Sequence, residues 1–186
     1  MSTPHGFTEL VQYRHTDETL YQHAQNMTVQ DPCVKAWTFR PSTSDDIEDI
    51  AELRARVLRP DLERLGRYNG EAVRQRLRDH FIAEHTRIID VDSRLAGCVA
   101  LRPDGNEFWL EHFYLADELH GRGIGTEVLD ILLDEADAKG LPVRLNVLVG
   151  SRAQKLYAAH GFVVDSADTV DAFMTRSVLP RESRRD

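Results

Sequence analysis

A cluster of glycines at the start of the clearest helix in the sequence most strongly constrains how this chain can fold. Residues 120–125 read HGRGIG; they follow the strand-like segment EFWLEHFYL and precede IGTEVLDILLDEADAKG, in which apolar residues recur at helical spacing. The first N–H groups of a helix have no partner within it and attract anions, and glycine lets an anion approach the backbone closely. The loop therefore predicts either an anion-binding helix start or a tight turn without a ligand.

The spacing of the glycines excludes two familiar nucleotide motifs. A dinucleotide fingerprint G-x-G-x-x-G would need glycine where the chain has Thr126 or Val128, and no G-x-x-x-x-G-K phosphate loop follows. The sequence does contain x-x-G-x-G directly after a strand-like segment, which still permits a phosphate-binding loop.

Hydrophobic periodicity and turn residues predict eleven elements in the order β α α β β β α β α β β. Ser44 is the predicted N-cap of the first helix, and Gly140 the predicted stop of the long third helix. The segments are VKAWTFRP, SDDIEDIAELRARVL, EAVRQRLRDHFIAE, TRIIDV, LAGCVALR, EFWLEHFYL, IGTEVLDILLDEADAKG, VRLNVLV, SRAQKLYAAHG and a final hairpin in FVVDSADTVDAFMTRSV. This is an α/β arrangement in which the long helix should connect two parallel strands.

Composition disfavours several classes of function. With 186 residues the chain has the length of one domain, and no apolar run approaches the ~20 residues that span a bilayer. The N-terminus lacks the features of a secretion signal, so we expect a cytoplasmic protein without a membrane partner. A net charge of −8 disfavours nucleic acid, and Cys33 and Cys98 have neither disulfide nor zinc spacing. We therefore expect no metal and a neutral or cationic substrate.

Two motifs in the right order resemble the GNAT superfamily of N-acetyltransferases. The family's Q/R-x-x-G-x-G/A loop is matched at Gly123 and Gly125, with His120 where Gln or Arg is usual. Its later A-x-x-L-Y-x-x-x-G-F motif is matched by Ala153, Leu156, Tyr157, Gly161 and Phe162. The chain departs from the family at Asp117, where proline is usual, and at Gly150, where asparagine is common. The resemblance covers roughly residues 36–178.

The resemblance implies a fold, a cosubstrate and a set of contacts. It implies a mixed, mostly antiparallel sheet whose parallel pair splays apart to form an acetyl-CoA cleft, in a domain spanning residues 34–179. Composition and periodicity, rather than the resemblance, predict that residues 1–33 form an irregular or partly helical leader with at most one short helix near residues 18–25, and that residues 180–186 form a charged tail. Residues implied to bind acetyl-CoA are Leu115, His120, Gly121, Arg122, Gly123, Ile124, Gly125, Thr126, Val147, Ser151 and Tyr157. Ser151 also has a local explanation, because S-R-A-Q is the sequence of a capping box.

Acetyl transfer to an amine needs a group that removes a proton, since a lysine-like amine with a pKa of ~10.4 is protonated at neutral pH. Period-two spacing puts Trp109, Glu111 and Phe113 on one strand face, where a carboxylate between aromatic residues is unusual. Glu111 is the predicted base, and His112 and His120 are alternatives. The resemblance gives Tyr157 the role of the acid that protonates the leaving thiolate.

Three functions follow from these patterns. The first is an N-acetyltransferase in which a small-molecule or protein amine attacks acetyl-CoA directly in a ternary complex. The second is a catalytically silent domain that binds acyl-CoA as a sensor or interaction module. The third, a metal hydrolase using Glu111, His112 and His120, lacks the H-E-x-x-H spacing. The identity of the acceptor, and whether the chain forms a homodimer, are left open by the sequence.

Overall fold

The elements follow the predicted order. The structure, a computed structural model, describes residues 37–178. Its strands and helices are β1 (Trp37–Pro41), α1 (Ile47–Arg64), α2 (Gly70–His80), β2 (Thr86–Val91), β3 (Arg94–Asp104), β4 (Glu107–Leu115), α3 (Ile124–Lys139), β5 (Val143–Leu148), α4 (Arg152–Ala159), β6 (Val163–Ala167) and β7 (Asp171–Arg176). The predicted leader helix and the charged tail lie outside the described residues. None of the described helices is long and apolar enough to cross a membrane.

The seven strands form one sheet in the order β1-β2-β3-β4-β5-β7-β6. Every neighbouring pair is antiparallel except β4 and β5, which are parallel as predicted. In the described residues, β4 and β5 pair only at Phe108↔Val143 and Trp109↔Arg144. Beyond these pairs the strands diverge, so the predicted mixed sheet with a splayed parallel pair is confirmed.

Helices cover both faces of this sheet. Arg54 of α1 lies close to Cys98 and Tyr114 on one face. On the other face, α3 packs against Leu115 so closely that a Cβ at Gly125 would lie 3.4 Å from the leucine side chain. Because neighbouring residues of a strand point to opposite faces, Tyr114 faces the layer of α1 and Leu115 faces the layer of α3.

The two ends of α3 have the backbone conformation that glycine permits. Gly123 precedes the helix with φ 83°, and Gly140 ends it with φ 69°. The predicted stop at Gly140 is therefore confirmed. The start of α1 differs from the prediction.

The predicted N-cap at Ser44 is wrong, because Ser44 lies in a short 3₁₀ turn and α1 begins at Ile47. The carboxylate of Asp46 accepts hydrogen bonds from the Thr43 N–H at 2.8 Å and from Arg40 at 2.6 Å. This side chain, rather than a serine hydroxyl, closes the turn before the helix. Arg40 holds the pKa of Asp46 down at about 2.

Strand β4 contains a β-bulge at His112. This residue has φ 54°, and the register with β3 shifts between the pairs Ala100↔Glu111 and Cys98↔Tyr114. Two residues of β4 thus oppose one residue of β3. The extra residue lies on the part of β4 that has already separated from β5.

The bulge changes which side chains share a face of β4. Ala100 and Cys98 lie on one face of β3, so their partners Glu111 and Tyr114 lie together on the corresponding face of β4. Period-two spacing predicted Phe113 in the position that Tyr114 takes. That prediction is wrong, because strict alternation ends at the inserted residue.

Candidate active site

The glycine loop lies at the end of β4, where β4 has separated from β5. Gly121 and Gly123 have φ angles of 77° and 83°, which a residue with a side chain rarely adopts. The N–H groups of Thr126 and Glu127 donate to the carbonyl of Gly123. The N–H groups that precede them, including those of Ile124 and Gly125, are the ones that a helix start leaves to an external acceptor.

His120 closes this loop onto the strand. Its Nε2 lies 3.1 Å from the carbonyl oxygen of Leu115, and its Nδ1 lies 3.7 Å from Asp117. The ring therefore links the two ends of the connection between β4 and the glycines. Of the other predicted contacts, the Ile124 side chain is fully buried, whereas Arg122 and Thr126 are exposed beside the loop.

An acidic side chain borders the glycine loop. Glu127, in the first turn of α3, accepts a hydrogen bond from Trp37 Nε1 at 2.7 Å. Its other carboxylate oxygen would lie 3.6 Å from a Cβ at Gly123. A carboxylate near a helix N-terminus is favoured by the helix dipole but competes with any other anion there. The bond to Trp37 fixes this carboxylate at the edge of the loop.

The start of α4 lies next to the same loop. Ser151 is the N-cap of α4, and its hydroxyl accepts from the N–H of Gln154 at 3.1 Å, as the capping box predicted. In return, the side-chain oxygen Oε1 of Gln154 accepts a hydrogen bond from the N–H of Gly150, at 2.7 Å, rather than from that of Ser151. Arg152 extends to within 3.8 Å of a Cβ placed on Gly121. This cation was not among the predicted contacts, although it directly precedes the second motif.

Tyr157 lies on α4 behind the opening of the sheet. It is 6% exposed and packs against Phe162, with 5.6 Å between ring centroids. Burial raises the pKa of the Tyr157 phenol well above its usual value, and the nearby Tyr114 raises it further. Tyr157 is therefore a protonated phenol at neutral pH, as a general acid must be.

Tyr114 comes from the opposite side of the same opening. It is 8% exposed, and burial raises its pKa to about 12. The guanidinium of Arg54 interacts with the phenol and opposes this shift. Two protonated tyrosines, one from β4 and one from α4, thus lie near each other where the sheet opens.

Glu111, the predicted base, is engaged in an ion pair. Its Oε1 accepts from Arg102 Nε at 3.0 Å, and its side chain is 26% exposed. Arg102 also lies 3.8 Å from Asp104. Glu111 shares the β4 face with Tyr114, so the carboxylate is near the opening but already has a cationic partner.

His112 has an unusual environment at the bulge. Its Nδ1 lies 3.4 Å from the hydroxyl of Tyr114, and its Nε2 is buried without a hydrogen-bond partner in the described part of the chain. Burial lowers the pKa of His112, Arg54 lowers it further, and Glu111 raises it. The ring is therefore neutral at pH 7.

Sequence reasoning named some of these groups but not their arrangement. Tyr114, Arg54 and Arg152 were not predicted as site residues, and His112 was only an alternative base. Arg54 carried one signal, since it lies four residues after Ile50 and therefore on the apolar face of α1. Between residues 37 and 178, no three His, Cys, Asp or Glu side chains are grouped so as to hold a metal ion.

A comparison with protein-family models identifies the core of the chain. The model described as the acetyltransferase (GNAT) family matches residues 47–162, which is more than half of the 186 residues. The matched region extends from the start of α1 to Phe162, three residues past the end of α4, and includes both motifs. No curated protein matches the sequence significantly.

Solved structures have the same fold at low sequence identity. PaiA N-acetyltransferase from Thermoplasma acidophilum, solved in complex with coenzyme A, has a TM-score of 0.63 and 22% identity, covering 76% of this chain and 98% of that one. An N-acetyltransferase from Staphylococcus aureus Mu50 has a TM-score of 0.57 and 19% identity, covering 74% and 99%. The ribosomal-protein-S18-alanine N-acetyltransferase from Escherichia coli has a TM-score of 0.57 and 15% identity, covering 81% and 99%.

Proposed function

Because the chain belongs to the GNAT acetyltransferase family, we propose that it is an acetyl-CoA-dependent N-acetyltransferase whose amine acceptor attacks the thioester directly in a ternary complex. The observation that carries the proposal is the position of the glycine loop: it begins the helix α3 at the place where β4 has separated from β5. An anionic coenzyme bound there would have its reactive end between the two strands. The acceptor is a small-molecule or protein amine.

The described residues fit the chemistry of acetyl-CoA. The N–H groups at Gly121–Gly125 would hold the pyrophosphate, and Arg122 and Arg152 lie beside them. Thr126, Ser151 and the turn that His120 closes would surround it. The unpaired edges of β4 and β5 at Leu115 and Val147 would pair with the pantetheine amides as an added strand. Acetyl-CoA supplies an activated acetyl group, and the protein binds, orients and exchanges protons.

Tyr157 is the proposed acid. A buried phenol that stays protonated at neutral pH can donate to a thiolate that forms beside it. Its position behind the opening, next to Tyr114, supports this role. The base predicted from the sequence, Glu111, stays a prediction: its carboxylate is paired with Arg102 and would have to leave that pair to take a proton, which directs attention to other groups on β4.

A ligand-stability experiment tests the site. Acetyl-CoA at ~100 times its Kd should stabilise the wild-type protein by about 2.7 kcal/mol, with NAD and ATP as negative controls. Gly123→Glu should remove this effect by placing a carboxylate in the loop. Gly140→Glu is the matched control, because Gly140 is the positive-φ glycine at the other end of α3 and has open space around it. Stabilisation that survives Gly123→Glu would contradict the proposed phosphate site.

A second measurement separates catalysis from binding. Release of the CoA thiol that depends on an added amine would support the transferase. Binding of acetyl-CoA without thiol release from any amine in a broad panel would instead identify a silent acyl-CoA-binding domain. The domain limits at residues 34–179 and the cytoplasmic location remain predictions.

A further inference from the structure

We propose that Tyr114 and His112 form a proton relay that removes the proton from the amine acceptor, an inference that rests on the proposed acetyltransferase activity. Tyr114 is the group that meets the acceptor, and His112 receives the proton through it. Both belong to β4, on the part of the strand that has separated from β5.

The backbone at His112 has a strained conformation, and this conformation sets the position of the ring. A φ of 54° is uncommon for a residue with a side chain, and such outliers concentrate at functional sites. The bulge that contains it brings Tyr114 onto the face of Glu111 and leaves Nδ1 of His112 3.4 Å from the Tyr114 hydroxyl. Catalytic hydrogen bonds are often long before substrate binds.

The His112 ring is partly buried among titratable and charged groups. Nε2 of His112 makes no hydrogen bond of ordinary geometry among the described residues, although the backbone of His80 lies close enough to favour the protonated ring. The titratable and charged groups that surround the ring come from four elements: Arg54 of α1, His80 of α2, Cys98 of β3, and Glu111 and Tyr114 of β4.

These neighbours give the two groups complementary protonation states. Burial, followed by Arg54, lowers the pKa of His112, while Glu111 and the backbone of His80 act in the opposite direction without reversing it. Burial raises the pKa of Tyr114 to about 12. At neutral pH the imidazole is thus free to accept a proton, and the phenol can transmit one without remaining ionised.

The proton balance of the reaction assigns each tyrosine a separate step. The acceptor ammonium gives one proton to Tyr114 Oη while the phenolic proton of Tyr114 moves to Nδ1 of His112. The nitrogen lone pair forms the C–N bond as the C–S bond breaks, and Tyr157 protonates the sulfur. The second proton of the nitrogen restores the Tyr157 phenol, and His112 later releases its proton to solvent. Glu111 stabilises the imidazolium during this interval.

The test is the pH profile of kcat/KM for thiol release with one amine acceptor. In the wild-type protein, activity should fall with decreasing pH as His112 becomes protonated, at an apparent pKa below the usual 6.5. Tyr114→Phe and His112→Gln should each lower kcat/KM by ~10²-fold or more and abolish this acidic limb. Tyr114→Phe removes only a hydroxyl, so it keeps the test valid if His112→Gln fails to fold.

Two further variants distinguish the relay from its alternatives. Glu111→Gln should keep the acidic limb and move it to lower pH, because Glu111 raises the pKa of His112. His85→Gln is the matched histidine control outside this cluster and should leave the profile unchanged. An acidic limb that persists in His112→Gln, or vanishes in Glu111→Gln, would overturn the relay while leaving the acetyltransferase intact. No amine-dependent thiol release by the wild-type protein would remove the proposed function and the relay together.

Discussion

At the scale of single residues, substitution of Tyr157 best separates an effect on the chemical step from an effect on coenzyme binding. Tyr157→Phe should lower kcat by ~10²- to 10⁴-fold, because the leaving thiolate loses its proton donor. The Kd of acetyl-CoA should stay nearly constant, since the ring and its packing against Phe162 are retained. Because the phenol pKa is raised well above its usual ~10, the wild-type profile should show no loss of this acid below about pH 10. Pre-steady-state thiol release and equilibrium binding measure the two effects.

An equal loss of kcat and coenzyme affinity in Tyr157→Phe would contradict the acid role. It would show that the hydroxyl holds the coenzyme in its ground state instead. Phe162→Leu is a useful comparison, because it disturbs the packing of Tyr157 but leaves the phenol in place. A kcat loss of similar size in Phe162→Leu would indicate that packing, not proton donation, dominates.

The sequence was informative about residues whose roles depend on their immediate neighbours. Ser151 as a cap and Gly140 as a helix stop follow from local backbone chemistry, and both are found. Tyr114 and Arg54 acquire their roles only when α1 packs on β4, sixty residues along the chain. No local pattern records that contact, so the buried cluster around His112 could not be derived from spacing.

At the scale of elements, one inserted residue in β4 explains the main error of the sequence analysis. Periodicity placed the ends of β4 correctly at Glu107 and Leu115. It did not predict which face of the sheet the side chains after His112 point to. The left-handed backbone conformation of His112 interrupts the two-residue alternation at that point. A histidine within a strand-like run signals that conformation much less clearly than a glycine would.

The contact between β7 and α3 contains a buried ion pair with a testable energy. Arg176 donates two hydrogen bonds of 2.8 Å to Asp137, and the two side chains are 5% and 6% exposed. Arg176→Met should lower the free energy of unfolding by about 3 kcal/mol, because a buried carboxylate loses its guanidinium partner. Arg59→Met is the matched control: its pair with Glu63 is 61% and 50% exposed, so its loss should cost less than about 1 kcal/mol.

Chemical denaturation monitored by circular dichroism measures both values. If Arg176→Met and Arg59→Met cost the same, the β7–α3 pair contributes no more than a surface ion pair.

At the scale of the whole molecule, the fold was predictable because the hydrophobic periodicity, the turn residues and the helix ends of the sequence all indicate the same arrangement. The order of elements, the parallel crossover through α3 and the glycine caps are all local or nearest-neighbour features. The splay of β4 from β5 is different: it was implied only by family resemblance, since no property of the strand sequences encodes where two strands stop pairing. Two register pairs, at Phe108 and Trp109, hold the parallel strands together.

This architecture predicts where acetyl-CoA should protect the backbone. The segments 110–115 of β4 and 145–148 of β5 lack pairing with each other, so N–H groups that face the opening depend on the ligand for protection. In hydrogen-exchange mass spectrometry at short labelling times, acetyl-CoA should slow exchange in these segments and in residues 121–125. Strands β2 and β6, which lie away from the opening, should change little. Gly140→Glu should preserve this pattern and Gly123→Glu should abolish it. Protection centred on the β6 edge would place the ligand outside the splayed strands and contradict the site, because pairing with the separated edges of β4 and β5 is what the proposed binding mode requires.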